Sequence, residues 1–257
     1  MNLNTPRTSP KLFAVIFGIF LVWVAPAHFV KAESACDFAG KIQKVQDYIS
    51  SGAIKLNTAD SLAFQSALRK EALRAVIRCA QEDLQKHQDE VSGTDAAIPD
   101  MEGVKSQITQ KLKEQQDYYQ TRLKEIDDLG VRGTQEAAKS IRSWREAILS
   151  PALKAAENFI IWNNSQGLIN ASKTRLDQIS KSFETLKLGN NKELLDLFVN
   201  ARQKFESASE ANERAKQLLL RLGPADYTEM LIKETLSDLS DSYKSLIALS
   251  EKAKENK

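Results

Sequence analysis

Residues 191–222 read NKELLDLFVNARQKFESASEANERAKQLLLRL and contain the most regular pattern in the chain. Apolar side chains, with one polar exception, recur there at alternating gaps of four and three residues for more than three heptads. This period keeps one face of a helix turned toward a partner helix, as in a coiled coil. The predicted seam positions on this helix are Leu194, Phe198, Ala201, Phe205, Ala208, Asn212, Ala215, Leu219 and Leu222.

The same spacing returns after Gly223 and Pro224, a pair of residues that stops a helix and turns the chain. The seam positions of this second helix are Ile232, Leu236, Leu239, Tyr243 and Leu246. We therefore predict that residues 191–256 form an antiparallel α-hairpin with coiled-coil packing. Each arm would have about 30 residues and a length of about 45 Å. Asn212, which is polar at a seam position, is expected to fix the register at some cost in stability.

Long helical patterns also fill the sequence upstream of the hairpin. Ten glycines and six prolines in 257 residues are too few for the turns of a many-stranded fold. Turn and cap residues divide the chain into helical runs near residues 37–50, 57–91, 99–129, 134–148 and 151–188. The predicted fold is all-α, a bundle of long helices. It would comprise an N-terminal helical region over residues 33–130 and a long-helix region over residues 134–257, which includes the hairpin.

Particular residues are predicted to begin these helices. Thr58, or the asparagine before it, is expected to cap the second run, and Thr134 the fourth. Asn190 has capping-box spacing to Glu193 at the start of the first hairpin arm. Pro151 removes a backbone donor, so it marks either the first turn of a fresh helix or a kink in a continuous one.

The run from residue 134 has an apolar stripe at helical spacing. Its members are Ala137, Ile141, Trp144 and Ile148. Gaps of three and four residues are typical of one side of a helix.

The first 32 residues have the three parts of a secretory signal peptide. A polar start contains Arg7 and Lys11, an uncharged apolar run follows over residues 12–27, and the segment ends at the small residue Ala32. We expect cleavage after Ala32 and an extracytoplasmic protein, either periplasmic or secreted.

A membrane anchor formed by residues 12–30 is the alternative to a cleaved leader. That run approaches the roughly 20 apolar residues that span a bilayer. In that case the N-terminal segment would be the part of the chain that contacts the membrane. A lipoprotein signal before Cys36 is disfavoured by Glu33, where such signals carry an aliphatic residue. N-terminal sequencing of the mature protein distinguishes the three cases.

Two cysteines, Cys36 and Cys79, follow the predicted leader. In an oxidising compartment such a pair usually forms a disulfide, so we predict a Cys36–Cys79 bridge. The bridge would close a loop of about 43 residues and stabilise the fold by about 4 kcal/mol in the chain-entropy model. Two free, buried thiols in a reducing compartment are the alternative, and titration of free thiols in the unfolded, unreduced protein distinguishes the two.

Removal of the leader changes the charge of the chain. The full sequence has 36 basic and 34 acidic residues, and three of the basic residues, Arg7, Lys11 and Lys31, lie in the leader, which has no acidic residue. The mature chain would therefore carry 33 basic against 34 acidic residues, a net charge of −1. Because nucleic-acid binding depends on clustered basic residues that neutralise phosphates, nucleic acid is not an expected partner.

The sequence shows no constellation of catalytic or metal-binding residues. With His28 in the leader, His87 is the single histidine of the mature chain, and its polar neighbours predict a solvated side chain. One histidine and two bridged cysteines leave few ligands for a transition metal. Phosphate-binding glycine loops and nucleophile motifs are missing from the sequence. We therefore expect no enzyme, no cofactor and no metal.

The heptad pattern, without a catalytic motif, favours a structural or interaction protein. Such a protein would bind other proteins, or a second copy of itself, through helical faces that the hairpin leaves uncovered. A periplasmic chaperone or a component of a secretion or conjugation apparatus is one alternative, by analogy of architecture. A membrane-active protein is another, with residues 159–169 as the inserting element, because residues 159–162 (FIIW) are the most apolar stretch of the mature chain.

Overall fold

Helices make up almost all of the chain that the computed structural model describes, which is residues 38–52, 58–185 and 190–255. No strand occurs within those ranges. The helices are α1 (Ala39–Ser50), α2 (Ala59–Gly93), α3 (Met101–Glu125), α4 (Val131–Trp144), α5 (Ser150–Thr185), α6 (Lys192–Leu220) and α7 (Ala225–Glu255). A short 3-10 helix, Ile126–Asp128, follows α3, and a π-helical turn, Arg145–Leu149, joins α4 to α5. The predicted all-α fold of long helices is confirmed.

The helices α6 and α7 form the predicted C-terminal hairpin. They are the most extensively packed pair of helices in the described part of the chain. Near the open end, Lys252 of α7 forms an ion pair of 3.2 Å with Glu193 of α6. Near the turn, the guanidinium of Arg214 donates a hydrogen bond to the hydroxyl of Tyr227. The first contact joins the start of α6 to the end of α7, and the second joins the end of α6 to the start of α7. The two arms therefore run antiparallel.

The turn of the hairpin begins earlier than the seam pattern predicts. The helix α6 ends at Leu220, and Leu222, predicted as the last seam position of that helix, lies in the turn at φ +47°. The backbone N–H of Leu222 donates to the carbonyl of Leu219 at 3.0 Å, and the N–H of Gly223 donates to that of Leu218 at 2.8 Å. These two bonds form a Schellman motif, which ends a helix with one left-handed residue. The heptad spacing of apolar residues thus extends past Leu220, where α6 ends, and it places one seam position too many on this helix.

Two of the predicted helix starts lie at or next to an observed capping residue. Thr58 caps α2 as predicted, because its hydroxyl oxygen accepts a hydrogen bond from the N–H of Ser61 at 3.2 Å. The cap of α6 was predicted one residue too early, at Asn190. Asn191 has the extended backbone of a capping residue, and its side-chain oxygen accepts from the N–H of Leu194 at 3.2 Å.

The predicted cap at Thr134 is wrong. The helix α4 begins at Val131, and Thr134 lies within its first turn, where the hydroxyl donates to the carbonyl of Val131 at 2.7 Å. A glycine inside a helix costs only about 1 kcal/mol, so Gly133 does not interrupt α4. The choice left open at Pro151 is settled by the π turn: the chain stays helical from Val131 to Thr185 without a fresh start.

The hydrophobic core consists of two clusters. The larger one draws on both regions predicted from the sequence, with Ile77 and Leu112 from α2 and α3, and Trp162 and Leu219 from α5 and α6. The smaller cluster lies at the open end of the hairpin and comprises Leu176, Phe183, Leu194, Phe198, Ala201, Leu246 and Leu249. Because α5 contributes to both clusters, it packs along the hairpin over most of its length.

The described helices also bear on the predictions about membrane and disulfide. None of those in residues 38–52, 58–185 and 190–255 combines the length and the apolar composition that crossing a membrane requires. The predicted leader, the alternative anchor and Cys36 lie outside the described residues. Cys79 lies buried on α2 and is not a free cysteine. The leader and the Cys36–Cys79 bridge stay predictions.

Candidate docking groove

The predicted seam positions differ in how deeply they are buried. Nine of them are at most 8% exposed: Leu194, Phe198, Ala201, Ala208, Ala215, Leu219, Ile232, Leu239 and Leu246. The other five are half-buried: Phe205, Asn212, Leu222, Leu236 and Tyr243. Alanine positions on α6 are among the least exposed side chains of the hairpin, which places a neighbouring helix close to its backbone.

A second buried row of α7, mostly polar, was not predicted from the sequence, and two of its members bond to α6. The hydroxyl of Ser242 donates to the carbonyl of Ala201 at 2.8 Å. The carboxylate of Asp238 accepts from the Lys204 ammonium at 2.9 Å and from the Ser207 hydroxyl at 2.6 Å. The buried members of this row are Thr228, Leu231, Thr235, Asp238, Ser242 and Leu249. Up to Ser242 their gaps are three and four residues, so a heptad search that also admits threonine, serine and aspartate finds them.

The charge on Asp238 is stabilised where it lies. Hydrogen bonds from Ser207 and then from Lys204 lower the pKa of Asp238 below its usual value, against the opposing effect of burial. The side chain is therefore an ionised carboxylate at neutral pH, and it joins the two arms of the hairpin.

Asn212 joins the hairpin to a third helix. Its amide and that of Gln166 on α5 exchange hydrogen bonds of 3.1 and 3.3 Å. The indole Nε1 of Trp162 donates to the backbone carbonyl of Asn212 at 3.3 Å. The polar seam residue was expected to set the register of the two arms, and its side chain instead fixes the position of the hairpin on α5.

The apolar stretch at residues 159–162 belongs to the core. Phe159 and Trp162 are at most 1% exposed. On the same helix, the side chain of Asn163 accepts from the N–H of Ala97 at 2.6 Å and donates to the carbonyl of Asp95. The polar and apolar faces of this part of α5 are thus both occupied by contacts within the chain.

His87 is not the solvated side chain expected from its neighbours. Only 17% of its side chain is exposed, and Nδ1 lies 2.8 Å from the carbonyl of Asp83. Nε2 lies 3.4 Å from a carboxylate oxygen of Glu157 on α5. The hydrogen bond to Glu157 raises the pKa of His87 above its usual value, against the effect of burial. These contacts place His87 between α2 and α5.

A surface groove with an aromatic floor begins between α3 and the end of α4. The rings of Tyr118 and Trp144 stack there with centroids 4.1 Å apart. The indole Nε1 of Trp144 donates to Oε1 of the buried Gln115 at 2.9 Å. The guanidinium carbon of Arg122 lies 5.2 Å from the centre of the Tyr118 ring. These side chains line a hollow of about 480 Å³.

The groove continues as a second hollow, of about 450 Å³, that reaches the turn of the hairpin. Ile148 lines both hollows and lies between them. Small side chains form much of the second hollow, among them Ala147, Ala152, Ala155 and Gly223. They leave room for another chain to approach the helices closely.

The π turn explains why Ile148 faces the groove. A regular helix would place Ile148 on the same side as Ile141, which is 4% exposed. The π turn adds one residue to the period, so Leu149 is buried at 1% exposure and Ile148 is left 41% exposed. The predicted apolar stripe is therefore wrong at Ile148.

The rim of the groove along α3 carries more carboxylates than cations in its first hollow. Glu114, Asp117 and Glu125 line it together with one cation, Arg122, which forms an ion pair of 2.8 Å with Glu125. Glu114 and Asp117 form no ion pair with any residue in the described part of the chain. The second hollow adds one lysine, Lys111, at its far end.

Metal coordination is not suggested by the arrangement of side chains. Among residues 38–52, 58–185 and 190–255, no group of three histidine, cysteine or carboxylate side chains is placed to hold an ion. Comparison of the chain with protein-family models, with curated proteins and with solved structures finds no match.

Proposed function

We propose that this protein is an extracytoplasmic helical scaffold that binds another protein through the groove. Ile148, 41% exposed beside the stacked Tyr118 and Trp144, carries this proposal. An exposed large apolar side chain next to partly covered aromatic rings is typical of the centre of a protein interface. A neighbouring depression lined by small residues adds a surface on which a partner can pack.

The groove is held in place before any partner binds. The hydrogen bond between Trp144 and Gln115 fixes the indole, and the burial of Leu149 fixes the π turn. A preformed surface loses less conformational entropy on binding than a flexible one, which favours affinity. Docking surfaces on helices are positioned more precisely than those on loops.

An extracytoplasmic location is part of the proposal. It is supported by the leader-like sequence of residues 1–32. It is also supported by Cys79, because a cysteine that is not free is typical of an oxidising compartment. N-terminal sequencing of the protein from its own cell envelope tests both the extracytoplasmic location and the cleavage of the leader.

The two alternative functions differ in their support. A chaperone or an apparatus component would also use a protein-binding groove, so that reading is a special case of the one proposed. A membrane-active protein would need its apolar segment exposed, and Phe159 and Trp162 are at most 1% exposed. Release of that segment would require opening the core.

Site-specific crosslinking tests the docking function. A photoreactive phenylalanine at position 148, in the full chain in its native cells, should form a discrete adduct with a second protein. The same group at position 168 is the matched control, because Leu168 is 43% exposed and does not line the groove. Excess unlabelled protein should suppress the adduct, whereas excess Ile148→Asp protein should not. Equal adducts at both positions, or equal suppression by both competitors, would refute the function.

A further inference from the structure

We propose that the occupant of the groove is an amphipathic helix of a partner protein, with lysine or arginine on the flank that meets Glu114 and Asp117. This inference rests on the proposed docking function and adds the chemistry of the partner. Three features of the groove support it: the type of backbone that surrounds it, its length and its distribution of charge.

The backbone around the groove favours a helix over an extended peptide. An extended peptide needs hydrogen bonds for its own N–H and C=O groups, and it usually takes them from the edge of a sheet. The groove is formed by α3, the π turn, α5 and the hairpin turn, and no strand occurs in the described part of the chain. A helix satisfies its backbone internally and can present side chains alone to an apolar surface.

The length of the groove suits several helical turns. It follows α3 from Lys111 to Glu125. At about 1.5 Å per residue, this corresponds to about 21 Å, which is close to four turns of an α-helix. Ile148 lies in the part shared by the two hollows, so it would contact the middle of the bound helix.

The charge of the rim determines which side chains are favoured on the flank of the bound helix. Glu114 and Asp117 are exposed one turn apart on α3, and neither is neutralised by an ion pair with a described residue. A lysine or arginine on the partner would face these two carboxylates, whereas an acidic residue there would be repelled. Lys111 lies one turn before Glu114, so the preference for a basic flank is localised toward the aromatic end.

Two synthetic helices provide the probe. Both are capped 15-residue peptides with a leucine stripe on one face; the flanks carry lysine in one and glutamate in the other. Their affinities for the full chain are measured by titration calorimetry at low and at high salt. We expect the lysine peptide to bind at least about tenfold more tightly than its twin, with a difference that shrinks in high salt.

Variants of the protein assign the binding to the groove. Ile148→Asp should weaken both peptides about tenfold or more, and Leu168→Asp should leave them unchanged. Glu114→Lys with Asp117→Lys should abolish the preference for lysine. Asp177→Lys with Glu184→Lys, two exposed carboxylates on α5, changes the net charge equally and should preserve it. Circular dichroism checks that each variant keeps its helices.

The outcomes separate this inference from the docking function. Equal binding of both peptides, weakened by Ile148→Asp, would overturn the basic flank and leave the docking function intact. No binding of either peptide at millimolar concentration would overturn the helical occupant, and the crosslinking result would still decide the function. Binding that ignores Ile148→Asp would overturn the groove as the site of docking altogether.

Discussion

The hydroxyl of Ser242 donates a hydrogen bond of 2.8 Å to the backbone carbonyl of Ala201, across the two arms of the hairpin. Neither residue is more than 1% exposed. A side chain as short as serine reaches a carbonyl of the neighbouring helix only where the two helices approach closely. The small residues on both arms therefore set the distance between α6 and α7 at this point.

Enlarging Ser242 should separate the arms. We expect Ser242→Leu to lower the free energy of unfolding by about 1–3 kcal/mol, because the added side chain has no space between the helices. Ser242→Ala should cost only about 1 kcal/mol, the value of one hydrogen bond. Denaturant unfolding followed by circular dichroism measures both. Ser240→Leu, at an exposed position of the same helix, is the control, and equal stability of the two leucine variants would contradict the prediction.

The hairpin shows how far the heptad pattern can be used. On α6 the apolar positions and the buried positions largely agree, because alanine and phenylalanine supply the contacts. On α7 the pattern of large apolar residues finds Ile232, Leu239 and Leu246 but misses the row that includes Asp238 and Ser242. Asp238 and Ser242 form hydrogen bonds to α6, and hydrophobic periodicity carries no information about such partners.

Acid should weaken the link between Asp238 and its partners, Lys204 and Ser207. Because the folded-state pKa of Asp238 is lowered, its contribution to stability is present above the ordinary pKa of aspartate and is lost as the pH falls through the folded-state value. We expect Asp238→Asn to lower the free energy of unfolding by about 1–3 kcal/mol at pH 7. The difference from the wild type should shrink as the pH approaches 3.

Unfolding titrations between pH 7 and pH 3 measure this effect. Asp196→Asn is a suitable control, because Asp196 is exposed on α6 and forms no ion pair with a described residue. If the free energy of unfolding of the Asp238→Asn variant stays below that of the wild type by a constant amount over this range, the charge of Asp238 does not contribute to stability.

The pair His87 and Glu157 should have the opposite dependence on pH. The folded-state pKa of His87 is raised, so its contribution is present below the ordinary pKa of histidine and is lost as the pH rises through the folded-state value. Glu157 is largely exposed, so we expect Glu157→Gln to cost less than about 1 kcal/mol at pH 5.5. The cost should vanish at pH 8.5.

The imidazole resonances of His87 report its pKa directly by nuclear magnetic resonance. Glu157→Gln should lower that pKa, and Glu184→Gln, an exposed change on the same helix, should leave it unchanged. If the two variants give the same pKa, the contact between His87 and Glu157 does not exist in solution.

The sequence pattern did not predict the groove, because the exposure of Ile148 depends on the π turn. Ile148 continues the helical spacing of Ile141, and in a regular helix that spacing would place both residues on one side. One additional residue in the π turn shifts every later position by about a third of a turn. Pro151 lacks a backbone N–H and therefore indicates an irregularity in the helix. A fresh helix, a kink and a π turn are all compatible with the missing donor, so the sequence does not distinguish them. The hydrogen bond of Trp144 with Gln115 joins two helices and has no signature in either one.

Asn163 should be essential to the packing of the loop between α2 and α3. Its amide is buried, accepts a hydrogen bond from the N–H of Ala97 and donates one to the carbonyl of Asp95. Asn163→Asp keeps the shape of the side chain and its acceptor, but a carboxylate cannot donate to Asp95. The loss of one hydrogen bond, with a buried charge in its place, should lower the free energy of unfolding by about 2–3 kcal/mol or more at pH 7.

The neighbouring change Asn164→Asp, at an exposed position, should cost less than about 0.5 kcal/mol. Because protonation restores a donor to the aspartic acid, the Asn163→Asp variant should recover part of its deficit at pH 4. A deficit that ignores pH would attribute the loss to packing, and no deficit at all would mean that the loop does not depend on Asn163.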